Sequence, residues 1–168
     1  MLQLISIAMV VYSYFLIQTN LPSLPQRIPT HFNAAGVANG WGSPDTLWIL
    51  LGAQALTSGV FLIVPYVGQR YPGAIHLGTR RLSDFSPAQR VRMLPMLNNM
   101  AAYLCIVMNL FFVVMLHRVI QAATQPIPHL DVFWPMALLL AGTFGIILYY
   151  LAKFRRIAQG EDGDLGVR

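Results

Sequence analysis

The chain has 168 residues, of which 56% are hydrophobic and only 10% are charged. Soluble domains carry about 25% charged residues, so this composition excludes a soluble globular protein and predicts one compact membrane domain. The net charge is +5, but the basic residues gather in two segments beside apolar runs, which indicates headgroup contacts and not nucleic-acid binding.

Four apolar runs are long enough to cross a bilayer. In chain order they cover about residues 2–18, 46–67, 94–117 and 132–153. The first run lacks a basic leader and a small-residue cleavage site, so we interpret it as a retained helix and not as a signal peptide. The sequence therefore predicts an all-α membrane protein, namely a four-transmembrane-helix bundle with an ordered outer loop between the first and second helices.

Polar residues and prolines mark the starts of three helices. Residues 43–45 (Ser-Pro-Asp) precede the second run and Asp131 precedes the fourth, as N-caps do. Ser86 and Pro87 predict that the third helix begins on the membrane surface, and Pro95 is expected to bend it before it enters lipid.

Positively charged residues predict the orientation. Loops rich in Arg and Lys stay in the cytoplasm, so the connection 68–93 and the segment 154–168, which we expect to be a mobile tail, are both placed there, together with both termini. The loop 19–45 and the connection after the third run then face outward. Six arginines of the cytoplasmic segments are expected to contact anionic headgroups: Arg80, Arg81, Arg90, Arg92, Arg155 and Arg156.

The outer loop 19–45 contains the most distinctive motif of the chain. Its prolines restrict the first half to extended or turn conformations, and the pair Asn39-Gly40 favours a tight hairpin turn. The Trp that follows is expected at the outer membrane interface. We predict ligand or partner binding by eight residues of this loop: Pro29, Thr30, His31, Phe32, Asn33, Gly36, Asn39 and Trp41.

Residues 25–41 have the pattern Pro-x-x-Ile-Pro-Thr-His-Phe-Asn-x-x-Gly-x-x-Asn-Gly-Trp, and an apolar helix follows. This pattern resembles a small bacterial multispan membrane domain-of-unknown-function family that is shared with the N-terminal part of SdpI-type toxin-immunity proteins. The resemblance implies a multi-pass protein of the bacterial cytoplasmic (inner) membrane. In SdpI-type proteins it implies immunity to a secreted toxin and sequestration of a repressor at the membrane. Asn39 stands where the family often has an acidic residue.

His31 has two interpretations. As a functional residue it binds a ligand or a metal or senses the outside pH. As a structural residue it hydrogen-bonds to loop carbonyls and fixes the turn. His117 and His129 are predicted to lie on the same side of the membrane, but the three histidines lack the spacing of metal ligands. We therefore predict no metal site.

Polar and small residues within the spans predict helix packing. The asparagines of the third helix are expected to bond to polar residues of the second, and a ligand path is the alternative. The residues concerned are Asn98, Asn99 and Asn109, with Gln54, Thr57 and Ser58 as partners. Met93, Met96 and Met100 predict a packing face in preference to soft-metal handling. The small-residue pairs Ala55/Gly59 and Ala141/Gly145 predict close helix contacts, either within the bundle or against a partner.

The sequence has no Walker, nucleophile-elbow, zinc-protease or haem-attachment motif, so we expect a non-enzymatic protein without a cofactor. The first hypothesis is a binding or regulatory role through the outward-facing Pro-Thr-His-Phe-Asn segment. The alternative is an accessory or structural subunit that packs against another membrane protein or a second copy. A transporter is disfavoured because no Asp, Glu, Lys or Arg lies in the core of a span.

Overall fold

The computed structural model describes residues 2–159, and within them four helices are long and apolar enough to cross a membrane. Their bounds are α1 (Leu2–Asn20), α2 (Leu47–Arg70), α3 (Pro87–Ala123) and α4 (Phe133–Gln159). This confirms the predicted all-α membrane fold.

Helix α3 forms the centre of the bundle. It packs against α1, α2 and α4, whereas α4 packs chiefly against α3. Its 37 residues correspond to about 55 Å, which exceeds the roughly 30 Å hydrocarbon core of a bilayer. The helix begins as predicted, because Ser86 and Gln89 form a reciprocal capping box, and it continues through Pro95 without interruption.

One end of the bundle, here called the hairpin end, carries strands β1 (Ile28–Phe32) and β2 (Ala38–Gly42), which pair antiparallel. Beneath them lies a cluster of buried apolar side chains that joins the hairpin to α1, α2 and α3. Its members include Ile17, Ile28, Leu47, Leu116, Ile120 and Leu130. Burial of Ile28 and Leu130 explains why both connections at this end are ordered: each inserts an apolar side chain between the helix ends.

The other end, here called the arginine end, carries a short antiparallel pair, β3 (His76–Leu77) and β4 (Arg80–Arg81). A second apolar cluster fills it and includes Leu82, Phe85, Met93, Leu97, Phe154 and Ile157. The Gln89 side chain donates a hydrogen bond to the backbone oxygen of Ile157 at 3.1 Å, which joins the start of α3 to the end of α4.

The position of the last helix end differs from the prediction. The sequence placed the boundary at 153 because Lys153, Arg155 and Arg156 follow the apolar run, but α4 continues to Gln159. Phe154 and Ile157 are buried while these basic residues remain exposed, so the last turns form an amphipathic helix held by the cluster at the arginine end. Residues 154–159 of the segment predicted as a tail thus belong to α4, and residues 160–168 lie outside the described part.

Halfway between the two clusters, α2 and α3 are joined by buried polar side chains. Gln54 donates to the Asn109 side-chain oxygen at 2.9 Å, and the Asn109 amide donates to Ser58 at 2.9 Å. Thr57 instead bonds to its own helix at Ala53. The predicted pairing between the two helices is confirmed for Asn109, Gln54 and Ser58.

Candidate functional site: a groove beneath the hairpin

The turn of the hairpin is built by Asn33, not by the Asn39-Gly40 pair. The Asn33 side-chain oxygen accepts hydrogen bonds from the backbone amides of Ala35 and Val37, both at 3.0 Å. Gly36 completes the turn with a φ of +77°, a conformation that favours glycine. The predicted turn at Asn39-Gly40 is therefore wrong, and this pair lies inside β2.

Asn39 and Gly40 have a different role within β2. The pairing of the strands is irregular, since Pro29 faces Trp41, His31 faces Gly40 and Phe32 faces Ala38. A side chain at Gly40 would come within 2.8 Å of the His31 Cβ, so glycine permits this close approach. The ring Nδ1 of His31 donates a hydrogen bond to the Asn39 side-chain oxygen.

A segment of the second connection at this end docks onto the turn. The Leu130 amide donates to the Gly36 oxygen at 2.8 Å, and the Ala38 amide donates to the Pro128 oxygen at 3.3 Å. His129 donates from Nε2 to the Ala35 oxygen at 3.0 Å. Residues 128–130 thus extend the hairpin sideways, and the outermost parts of the two connections form one unit.

A groove of about 540 Å³ lies beneath this unit. Residues 29–32 of the hairpin form one wall, and apolar side chains of α2 and α3 form the others. These include Leu47, Ile49, Leu50, Phe111, Phe112 and Met115. Ile49 is 71% exposed at the rim, so the groove opens sideways along α2. The arrangement can enclose an apolar chain and offer Thr30, His31 and Thr46 as polar contacts at one end.

The eight loop residues predicted to bind have distinct positions in this site. Four of them, residues 29–32, line the groove, whereas Asn33 and Gly36 build the turn above it. Asn39 orients His31, and Trp41 is half exposed on the hairpin.

The three histidines make separate contacts. His117 packs its ring against Tyr12 of α1, with centroids 5.9 Å apart, and accepts a long hydrogen bond from the Tyr12 hydroxyl at 3.4 Å. His129 bonds to the turn and His31 to Asn39. Within residues 2–159, no group of three or more His, Cys, Asp or Glu side chains has the arrangement of a metal site.

At the arginine end, the structure organises part of the basic segment around Asp84. The Arg81 amide donates to the Asp84 carboxylate at 2.8 Å, and this bond lowers the pKa of Asp84, aided by a bond from Ser83 and by the charges of Arg81 and Arg80. The Arg80 guanidinium lies 4.4 Å from the centre of the Phe85 ring. Arg155 shares a shallow depression with Arg80, whereas Arg90 is partly buried.

The sequence did not indicate the wall residues contributed by α3 or the role of Leu130 and Val132. Phe111, Phe112 and Met115 belong to an apolar run that is indistinguishable from a lipid-facing one. Their place in a groove depends on how α2 and the hairpin pack against α3, which no local pattern reports.

Comparison with known families gives one match. Residues 4–54 match the family model described as a domain of unknown function, DUF1648. The matched region covers α1, the hairpin and the first part of α2, and so contains the hairpin wall of the groove. No curated protein and no solved structure matches the chain. The chain is thus an integral membrane protein whose N-terminal third is similar to a small domain of unknown function.

Proposed function

We propose that this protein is a non-enzymatic binding or regulatory protein that receives the apolar part of a ligand in the groove beneath the hairpin. The observation that carries the proposal is that four consecutive residues of the distinctive motif, 29–32, form a wall of this groove. The ring of His31 is held by Asn39 through Nδ1, which leaves Nε2 available for a hydrogen bond with a ligand.

Placing a large side chain at the rim tests the proposal. Ile49→Trp fills the sideways opening, and Leu56→Trp is the matched control because Leu56 lies two turns further along the same face of α2 and is equally exposed, at 72%. The probe is a sixteen-carbon fatty acid with a diazirine in its chain. We expect saturable labelling of groove residues in the wild type and in Leu56→Trp, and its loss in Ile49→Trp.

The same variants connect binding to function in cells. In a deletion strain, Leu56→Trp should complement every phenotype that the wild type complements, whereas Ile49→Trp should not. Equal labelling and equal complementation by the two variants would contradict a role for the groove.

We further propose that the hairpin end faces outward and the arginine end faces the cytoplasm of a bacterial inner membrane. The described parts of both basic segments, up to residue 159, lie at one end of the bundle, and the positive-inside rule assigns that end to the cytoplasm. In a Cys105→Ala background, an impermeant maleimide should label Ala35→Cys in intact cells but label Thr79→Cys only after permeabilisation. The opposite pattern would reverse the orientation.

A relationship to SdpI-type immunity proteins is the regulatory form of this proposal. It is supported by the motif in residues 25–41 and by the match of residues 4–54 to a domain of unknown function. It predicts that the deletion strain becomes sensitive to a secreted antibacterial peptide and that Ile49→Trp fails to restore resistance. Unchanged resistance to the peptides that neighbouring bacteria secrete would remove immunity from the proposal.

A second candidate, a subunit of a larger membrane complex, is favoured by one observation. Gly59 and Gly145 have open space where a side chain would be, so the predicted small-residue pairs do not serve packing inside the chain. Ala55 and Ala141 are also exposed. Such faces suit close approach by another helix. A stoichiometric partner after native purification in mild detergent, lost on Gly145→Leu, would support this candidate over a free binding protein.

A further inference from the structure

A second groove lies between α3 and α4 at the hairpin end, and it has a volume of about 330 Å³. Its walls are apolar side chains of both helices, among them Leu110, Val114 and Leu138. At its mouth lie Arg118 and Trp134. Only Phe111 lines both grooves, so the two are neighbours with different walls.

The length of this groove along α3 matches the thickness of the acyl region of one bilayer leaflet. The two helices come together at Gly142, where an added side chain would lie 3.3 Å from Val107, and they separate towards the hairpin end. Arg118 lies eleven residues beyond Val107, which corresponds to about 16 Å along α3. Half of a typical hydrocarbon core is about 15 Å, so the groove has the length of the acyl region of one leaflet.

The charge at the mouth of this groove indicates which class of ligand it would bind. Arg118 is exposed and, within residues 2–159, makes no hydrogen bond or ion pair. Its place within the last turns of α3 puts a guanidinium at the level of the lipid headgroups, and Trp134 beside it is typical of that level. A guanidinium binds phosphate through paired hydrogen bonds, and the apolar walls below suit an acyl chain.

We propose that this groove binds one phospholipid of the leaflet at the hairpin end, with its phosphate on Arg118 and an acyl chain between α3 and α4. The proposal does not depend on a ligand beneath the hairpin. It also does not depend on which side of the membrane the hairpin end faces, since both leaflets supply phospholipid.

Native mass spectrometry of the full chain with added phosphatidylglycerol tests this site. Arg118→Gln should weaken one lipid-binding step by about tenfold, the effect of one hydrogen bond to a charged group. Arg27→Gln is the matched control, because Arg27 lies exposed in the first connection at the same end and lines neither of the two grooves there. Leu138→Trp fills the groove but keeps the charge of Arg118, and it should abolish the same lipid-binding step.

A phosphatidylglycerol with a photoreactive acyl chain locates the lipid independently of any variant. Crosslinks on the wild type should concentrate on residues 107–118 and 134–139. An even distribution of crosslinks along all four helices, or equal lipid binding by Arg118→Gln and Arg27→Gln, would overturn the proposal.

Discussion

The buried polar cluster between α2 and α3 gives the sharpest test of how this bundle is held together. Asn109→Ala removes a side chain that accepts from Gln54 and donates to Ser58, both at 2.9 Å. It also removes a bond within α3 to the Cys105 oxygen. Ser58 keeps a second partner, the Gln54 backbone oxygen, but the Gln54 side-chain amide loses the partner that it has in the intact cluster.

The expected loss of stability follows from these contacts. Hydrogen bonds between helices in a membrane contribute about 0.6 kcal/mol each on average, so two give about 1.2 kcal/mol. A buried amide without a partner adds a cost of about 1–3 kcal/mol. We therefore expect Asn109→Ala to lower the free energy of unfolding by about 2–4 kcal/mol.

Reversible unfolding in mixed micelles, followed by tryptophan fluorescence, measures this change. Asn99→Ala is the matched control, because it removes the same side chain from an exposed position on the same helix. We expect it to lower the free energy of unfolding by about 0.5 kcal/mol or less. The pair Gln54→Leu with Asn109→Leu removes both polar partners, so it should cost less than Asn109→Leu alone.

Two results would refute this reasoning. One is an Asn109→Ala value within about 0.5 kcal/mol of the Asn99→Ala value, because substitutions at exposed positions span about that range. The other is a double variant that loses the full sum of the two single losses, because the cluster would then not act as a unit.

Two further predictions concern the connections. Gly36→Ala adds a Cβ 2.5 Å from the Leu130 oxygen at a residue whose φ is +77°, so the hairpin should become much more sensitive to protease. Gly78→Ala is the control, because Gly78 has a φ of +71° but open surroundings, and it should raise protease sensitivity much less. Equal effects of the two substitutions would mean that docking of Leu130 is unimportant. The Arg81 amide lowers the pKa of Asp84 in the folded protein below its value of about 3.9 in the unfolded chain. The Asp84 carboxylate should therefore stabilise the connection that carries β3 and β4 at pH values above about 3.9, and this stabilisation should be lost as the pH falls through the pKa of the folded state. Local protection of the Arg81 amide measured by NMR should therefore decrease on acidification in the wild type but not in Asp84→Asn.

The hairpin shows what local signals can and cannot predict. The extended Pro-rich leg and the ordered loop were predicted, but the turn was assigned to Asn39-Gly40 and lies at Asn33–Val37. An Asn-Gly pair is favoured where positive φ is needed, and among residues 2–159 only Gly36 and Gly78 have it. Gly40 is required instead for its close approach to His31, which is a contact across strands and leaves no local signal.

The small residues show the same limit. The pairs Ala55/Gly59 and Ala141/Gly145 have the spacing of helix contacts, yet the close approaches occur at Gly68 beside Leu97 and at Gly142 beside Val107. Spacing identifies a face that permits close packing, but the other helices decide whether that face is used.

The sequence by itself determined the four spans, the caps of α3 and α4, and the polar residues that join α2 to α3. Hydropathy and capping are local, because each depends on residues close together in the chain. A buried amide in a span must find a hydrogen-bond partner on another helix, since lipid offers none. Only the tertiary structure decided that residues 128–130 dock on the hairpin and that two grooves open beside α3. The docking and the first groove depend on the distances between helix ends, which are set by the buried side chains of the hairpin end acting together. The second groove depends on the approach of α4 to α3 at Gly142 and Val107.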